Sequence, residues 1–437
     1  MIRSQKRGLI TTCYENDAES QTKVVTQRIN DAMKSVARLT REHKTTTGGN
    51  MKANFRKPLA ALGFAALLFT ACGGDDSSSA PATEAPASSE APSSEAPSTD
   101  VASTDAPASD VSALDSNGDG VVQFALAIPG PANDGAYYQA LVDGVKAFTS
   151  SNGLPDPIIV DKIEADKAAT AMDDLAQQGV DVIAVGASEI AGPLADLTVK
   201  YPDIFWYCNC GAGFADLPGL AQTLDDSSQI SYSAGYATGL LLKDAGNNKA
   251  TFLGCCDLNF EKEAYLSFEL GLKAVLPDAE FSYVKTGAFD YDFDNTAGAT
   301  EAYNAAKAAG VGAVYPYLGG ALEPIVQLAN ADGIITMSAG SSKACESTDL
   351  KYDIAVKFDG GDYILEALAR IVAGTFKEGE KLTFQIGDNA GPGKSPGAVI
   401  CNPTPEQQTA MDEIDAKLAA GDFAADLGAI KGQAYGG

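Results

Sequence analysis

Residues 121–138 read Val-Val-Gln-Phe-Ala-Leu-Ala-Ile-Pro-Gly-Pro-Ala-Asn-Asp-Gly-Ala-Tyr-Tyr. The first eight form an apolar run with β-branched members, the pattern of a strand buried on both faces. Pro129-Gly130-Pro131 must end it, because proline cannot donate to a ladder. From Ala136 to Ser150 the apolar residues Tyr137, Leu141, Val145 and Phe148 recur at helical spacing. Strand, sharp turn and amphipathic helix together predict a βα unit.

The same texture continues along the chain. Pro157–Ile163, Val180–Val185, Ile204–Cys208 and Leu220–Leu224 read as further strands, with helices at Ala165–Gln178 and Ile190–Lys200. A second series follows, with helices at Ser231–Asp244, Phe260–Val275, Thr296–Ala309 and Ala321–Ala331. Its strands are Lys249–Gly254, Phe281–Lys285, Val311–Tyr317, Gly333–Ser338 and Asp353–Phe358, and a long helix, Gly361–Gly374, comes after them. Alternation of this kind predicts an α/β fold of two doubly wound parallel-sheet lobes, about five strands each, joined by hinge crossovers. The expected lobes are 119–227 with 359–437, and 228–358. In open βα sheets ligands sit beyond the carboxyl ends of the strands, so two such edges facing each other make a binding cleft.

Charge narrows the function. The 437 residues carry 31 Lys and Arg against 58 Asp and Glu, a net charge of −27. That balance argues against nucleic acid as a partner, since phosphate binding needs clustered cations. The sole histidine is His43. It lies ahead of a segment that resembles an export signal: Lys52, Arg56 and Lys57, an apolar run from Leu59 to Thr70, then Ala71-Cys72. A run of about 12 residues is too short to span a bilayer. Phe69-Thr70-Ala71-Cys72 resembles a lipobox, which predicts lipidation of Cys72 and a chain anchored on the extracytoplasmic face of the membrane.

On this reading residues 1–50 are a misplaced start or a disordered extension, and 51–71 are a signal peptide. Residues 72–118, rich in Ser, Ala, Pro and acids, form a disordered tether. The exported chain has no histidine and a net charge of −34. This excludes Ser/His/Asp and Cys/His catalysis and histidine-ligated metals.

The stretch Gly130-Pro131-Ala132-Asn133-Asp134-Gly135-Ala136-Tyr137 resembles the entry motif of the basic membrane protein family, lipid-anchored substrate-binding proteins of ABC importers, several of which bind purine nucleosides. Lys200-Tyr201-Pro202-Asp203, Ser233 to Gly239, Gly271 to Asp278, Gly319-Gly320 and Val356-Lys357 match in the same order, so the resemblance covers about 121–390. It implies a periplasmic-binding-protein fold of the first type, a small-molecule ligand with a purine nucleoside or nucleobase favoured, and ABC permease and ATPase partners. It implies no cofactor, no metal and no catalysis.

The resemblance also carries site residues. Asn133 and Asp134 would bond the base edge, and Tyr137 would stack on it, only one of Tyr137 and Tyr138 being able to face the cleft. Asn209, Ser338 and Lys357 stand at the sugar side, with Ser188, Tyr317, Gly319 and Gly320 completing the site. Asn209 and Ser338 replace the family's aspartates and accept hydrogen bonds more weakly than carboxylates, which opens a free nucleobase or a sugar as alternatives. A ligand-sensing receptor is the rival reading. A carboxylate-only glycosidase is another, needing two convergent acids such as Asp134 with Glu189 or Asp359.

Other motifs fall short. Asp115 to Gly120 begins like a calcium loop, but position 12 is Leu126 rather than Glu. Asp290, Asp292 and Asp294 precede a helix and are expected to cap it. Gly391 to Ser395 lacks the first glycine of a P-loop, with Asp388 in its place. Trp206 lies within a strand and is expected in the core. Cys208, Cys210, Cys255, Cys256, Cys345 and Cys401 allow disulfides, free thiols or, with unsuitable spacing, a metal site; the pairing is not readable from the sequence.

Overall fold

Short apolar runs become strands here because both faces are covered: Phe124–Ala127 (β1) and Val182–Val185 (β3) are buried at every residue. The computed structural model describes residues 111–211, 213–388 and 396–436, all within a single unit, Thr99–Gly437. The expected signal peptide, Cys72, the tether up to residue 110 and Gly391 to Ser395 lie outside the described residues.

In chain order the elements are β1, α1 (Tyr137–Ser151), β2 (Ile158–Val160), α2 (Ala168–Ala176), β3, α3 (Leu194–Lys200), β4 (Phe205–Asn209) and β5 (Ala221–Asp225). Then come α4 (Ser227–Ala245), β6 (Lys249–Gly254), α5 (Asn259–Val275), β7 (Glu280–Lys285), α6 (Thr296–Ala308), β8 (Ala313–Tyr317), α7 (Leu322–Asp332) and β9 (Ile335–Thr336). The chain closes with β10 (Ile354–Lys357), α8 (Gly360–Val372), β11 (Lys381–Phe384), β12 (Gly397–Ile400), α9 (Pro405–Ala419) and α10 (Ala424–Tyr435).

Two sheets result. The first has strand order β11-β5-β4-β3-β1-β2, all parallel. The second has order β7-β6-β8-β9, also parallel. A parallel bridge between Met337 and Ile354 passes this sheet on to β10, which pairs antiparallel with β12. The order second-first-third-fourth recurs in both halves. Each half therefore has a switch point, between β1 and β3 and between β6 and β8, where the connections leave on opposite faces and open a crevice.

Two expectations need correction. The expected first lobe took in all of 359–437, but only α8 and β11 join it, through α8 on α1 and β11 on β5. Residues 396–436 pack on the second lobe, burying Ala398, Ile400, Met411, Ile414, Leu418, Leu427 and Ile430 in its core. Near-equal five-stranded sheets were also expected. The first sheet has six strands because β11 adds beside β5, and the second has four.

Helix starts are fixed by side chains that accept the free N–H groups of the first turn. Asp226 accepts from Gln229 at α4, and Asp359 accepts from Gly361 and Asp362 at α8. Thr404 and Gln407 form a reciprocal capping box at α9, with Pro405 in the first turn. At α6 the cap is Asn295, accepting from Gly298, and not the preceding aspartates. Asp292 accepts from Ala288 and Asn295, and Asp294 accepts from the backbone of Gly320. These carboxylates tie loops together because Asn295 already stands at the capping position.

The six cysteines form three disulfides, Cys208–Cys210, Cys255–Cys256 and Cys345–Cys401. Trp206 is fully buried, its indole N–H donating to the Tyr201 carbonyl. The Asp115 carboxylate accepts from the backbone of Gly118 and Gly120, a local turn in place of a metal loop.

Candidate functional site

A cavity of about 160 Å³ lies between the lobes, and nearly all of it is built from residues at the carboxyl ends of strands. From the first lobe, the turn after β1 brings Asp134, Tyr137 and Tyr138. The turn after β3 brings Ser188 and Glu189, β4 ends in Asn209 with Cys210 following, and β5 ends in Asp225. From the second lobe come Phe260 after β6, Phe293 after β7, Tyr317 and Gly319 at β8, and Ala339 after β9. Phe358, where the chain crosses from β10 to α8, and Tyr435 near the end of α10 complete the wall.

Asp134 is held by geometry common to helix starts. Its carboxylate accepts from the backbone N–H groups of Ala136, Tyr138 and Gln139 at 2.9, 3.2 and 2.9 Å. Gly135 between them takes φ +72°, a conformation side chains avoid, and a Cβ there would meet the Glu323 carboxylate. Asp134 thus caps α1 and lines the cavity at once. Burial raises its pKa against the pull of those three N–H groups, and the charge of Asp294 adds to the rise.

Two further acids face the cavity. Glu189 accepts from the Tyr138 hydroxyl at 3.1 Å, while its second oxygen is buried without a partner. Burial raises its pKa. Asp225 is pushed up to about 7, first by burial and then by the charges of Glu263 and Asp226, with Lys431 opposing. Asn209 is 6% exposed, and its amide nitrogen is buried without a partner.

The remaining wall is aromatic. Tyr317 and Phe358 stack with centroids 5.5 Å apart, Phe260 and Phe293 at 6.2 Å. Tyr137 lies 6.4 Å from Phe358 and meets Tyr138 edge-on at 5.7 Å. Both tyrosines line the cavity, which corrects the expectation that only one could. The Tyr138 hydroxyl reaches across to Glu189 and so keeps its ring at the wall.

The structure brings together Asp134, Tyr137, Ser188, Asn209, Tyr317 and Gly319. It does not bring in the other four. Asn133 is exposed. The Gly320 N–H donates to Asp294. The Ser338 hydroxyl accepts from Val356 and donates to Ser341, bordering a separate cavity beside Glu323 and Lys343. Lys357 borders another cavity with Ile386 and Asp415, and its charge lowers the Asp415 pKa against burial. Sequence reasoning missed Asp225, Phe260, Phe293, Phe358 and Tyr435 as site residues. Position at or just beyond a strand's carboxyl end was a usable signal for the first four. None existed for Tyr435.

Among solved structures, a solute-binding protein of an ABC transporter system from Conexibacter woesei DSM 14684 is 22% identical, with a TM-score of 0.52. The alignment covers 69% of this chain and 97% of that one. An ABC transporter solute-binding protein from Aeropyrum pernix K1 is 14% identical, with a TM-score of 0.58 over 72% of this chain and 99% of the other. A transcriptional activator of the comK gene from Bacillus halodurans is 15% identical, with a TM-score of 0.55 over 68% and 98%. These likenesses concern the fold, which is the type I periplasmic-binding-protein architecture. No curated protein sequence matches significantly. The Bmp family, described as ABC transporter substrate-binding protein PnrA-like, matches residues 121–390. Two parallel-sheet lobes of matching strand order around one aromatic cavity are what such a receptor requires, and the chain belongs to this family.

Proposed function

We propose that this chain is a lipid-anchored receptor that closes its two lobes around a flat polar solute and hands it to an ABC permease. A purine nucleoside or nucleobase is the favoured cargo, and the chemistry is binding without turnover. The observation that carries this reading is the cavity wall, where rings from both lobes face a space edged by hydrogen-bonding groups. Stacking on aromatic faces tolerates any planar ring, while Asn209, Glu189 and Asp134 can read its edge. Ligand contacts on both lobes favour the closed state by their differential affinity.

Between a nucleoside and a free base, the position of Lys357 outside the cavity favours the base, since the cation expected at the sugar side borders a different cavity. Anchoring would depend on Cys72: labelled palmitate should be incorporated into the wild-type chain and not into Cys72→Ala. Isothermal titration against purine nucleosides, nucleobases and sugars tests the cargo. Micromolar or tighter binding of one purine compound is expected. Heat from sugars alone, in protein with an intact melting transition, would remove the purine reading.

A further inference from the structure

The aromatic cavity is lined by carboxyl groups and, among the described residues, by no basic side chain. The carboxyl groups are those of Asp134, Glu189 and Asp225. None of the three is in an ion pair among those residues. Lys431, whose charge bears on Asp225 from outside the lining, is paired with Asp226 at 2.9 Å, and Lys357 borders the separate cavity beside Asp415. Asp294, bonded to Gly320, adds a further negative charge close enough to bear on Asp134. Glu189 presents a buried carboxylate oxygen with no partner, and Asn209, 6% exposed, presents a buried amide nitrogen with none.

We infer that the solute carries a positive charge: a planar, cationic heteroaromatic compound with at least one hydrogen-bond acceptor. The inference rests on the cavity being the solute site and refines the class of solute. Rings of Tyr137, Tyr138, Phe260, Phe293, Tyr317 and Phe358 line the cavity, and an aromatic face attracts a cation. The carboxylates compensate its charge when closure removes water, and the Asn209 amide donates to the acceptor. A neutral solute of the same shape leaves carboxylates buried without compensation, which is costly. An anionic solute finds no cation in the wall and would be repelled by whichever of these groups is ionised.

The test uses the full chain and two matched pairs of probes in titration calorimetry at pH 7 and low salt. The first pair is 1-methyladenosine, a cation at this pH, with its neutral isomer N6-methyladenosine. The second is 1-methylnicotinamide, a permanent cation, with neutral nicotinamide. The charged member should bind about 10-fold or more tightly in each pair that gives heat. Glu189→Gln combined with Asp225→Asn should abolish that preference, the charged member losing affinity until the two members of a pair bind alike.

Equal or tighter binding of the neutral member overturns the inference, as does the absence of heat from all four probes. Preference for the cation in the nicotinamide pair, with neither adenosine isomer bound, upholds the charge and removes the purine reading. Binding of N6-methyladenosine without 1-methyladenosine does the reverse.

Discussion

Tyr317 and Phe358 illustrate how single residues set the character of the cavity. Their rings stack across the seam between β8 and the β10–α8 crossing, so the platform is preformed before solute arrives. Tyr317→Ala or Phe358→Ala should weaken solute binding by about 5- to 150-fold, the equivalent of ~1–3 kcal/mol of stacking, as read by calorimetry.

Asp225 makes a second prediction at this scale. Its native pKa of about 7 lies above the ordinary 3.8, because burial and the charges of Glu263 and Asp226 disfavour ionisation. Between pH 4 and 7 the native state holds a proton that the unfolded chain has lost, so this group's contribution to stability falls as pH rises. Asp225→Asn should leave the melting temperature unchanged near pH 4. It should raise it at pH 8 by about 2–4 °C for each kcal/mol relieved.

Residue placement shows where sequence reading stops. The motif around Asp134 and Tyr137 sits directly after an unmistakable strand, and both residues line the cavity. Ser338 and Lys357 do not, although their neighbours Ala339 and Phe358 do. Side chains alternate in extended backbone, so an uncertainty of one residue in where a strand ends decides which chain faces the crevice. Family position could not resolve that single step.

Among the elements, α4 and α5 make the closest pair. Gly235 on α4 faces the Phe268 carbonyl, and Gly271 on α5 faces the Tyr232 carbonyl, each so near that a Cβ would collide with backbone. Both glycines fall in stretches whose sequence resembled the family, and close helix contact explains why small residues stand there. Gly235→Ala should destabilise the ligand-free protein by about 1–3 kcal/mol, seen as an earlier thermal or denaturant midpoint.

The turn after β6 is organised by Glu261, fully buried, which accepts from the N–H groups of Cys256 and Leu258 at 3.0 and 2.9 Å and from that of Cys255. Most helices and strands were legible within a few residues, because buried strands and amphipathic helices leave distinct periodicities. The strand expected at Gly333–Ser338 shrank to Ile335–Thr336 with a bridge at Met337, since its outer neighbour β10 meets it only there.

For the whole molecule, the chain passes between the sheets after β5, after β10 and again between β11 and β12. Such side-by-side crossings permit bending about one axis. Addition of a bound solute should lower the radius of gyration measured by small-angle scattering, whereas a rigid pair of lobes would show no change. Two lobes with a shared crevice were legible because the βα rhythm occurs twice. The home of residues 396–436 was not, because packing of β12, α9 and α10 on the second lobe depends on a crossing that no local pattern announces. Cys345–Cys401 pins the start of that returning segment to the loop before β10. Loss of this bond in Cys401→Ser should cost about 2–4 kcal/mol of stability.

Tyr435, on the last helix, stands in the wall of the cavity whose other wall begins with residues near 134. Until the final helix has been made and has docked, the cavity lacks that part of its wall, so its completion waits on the last residues of the chain.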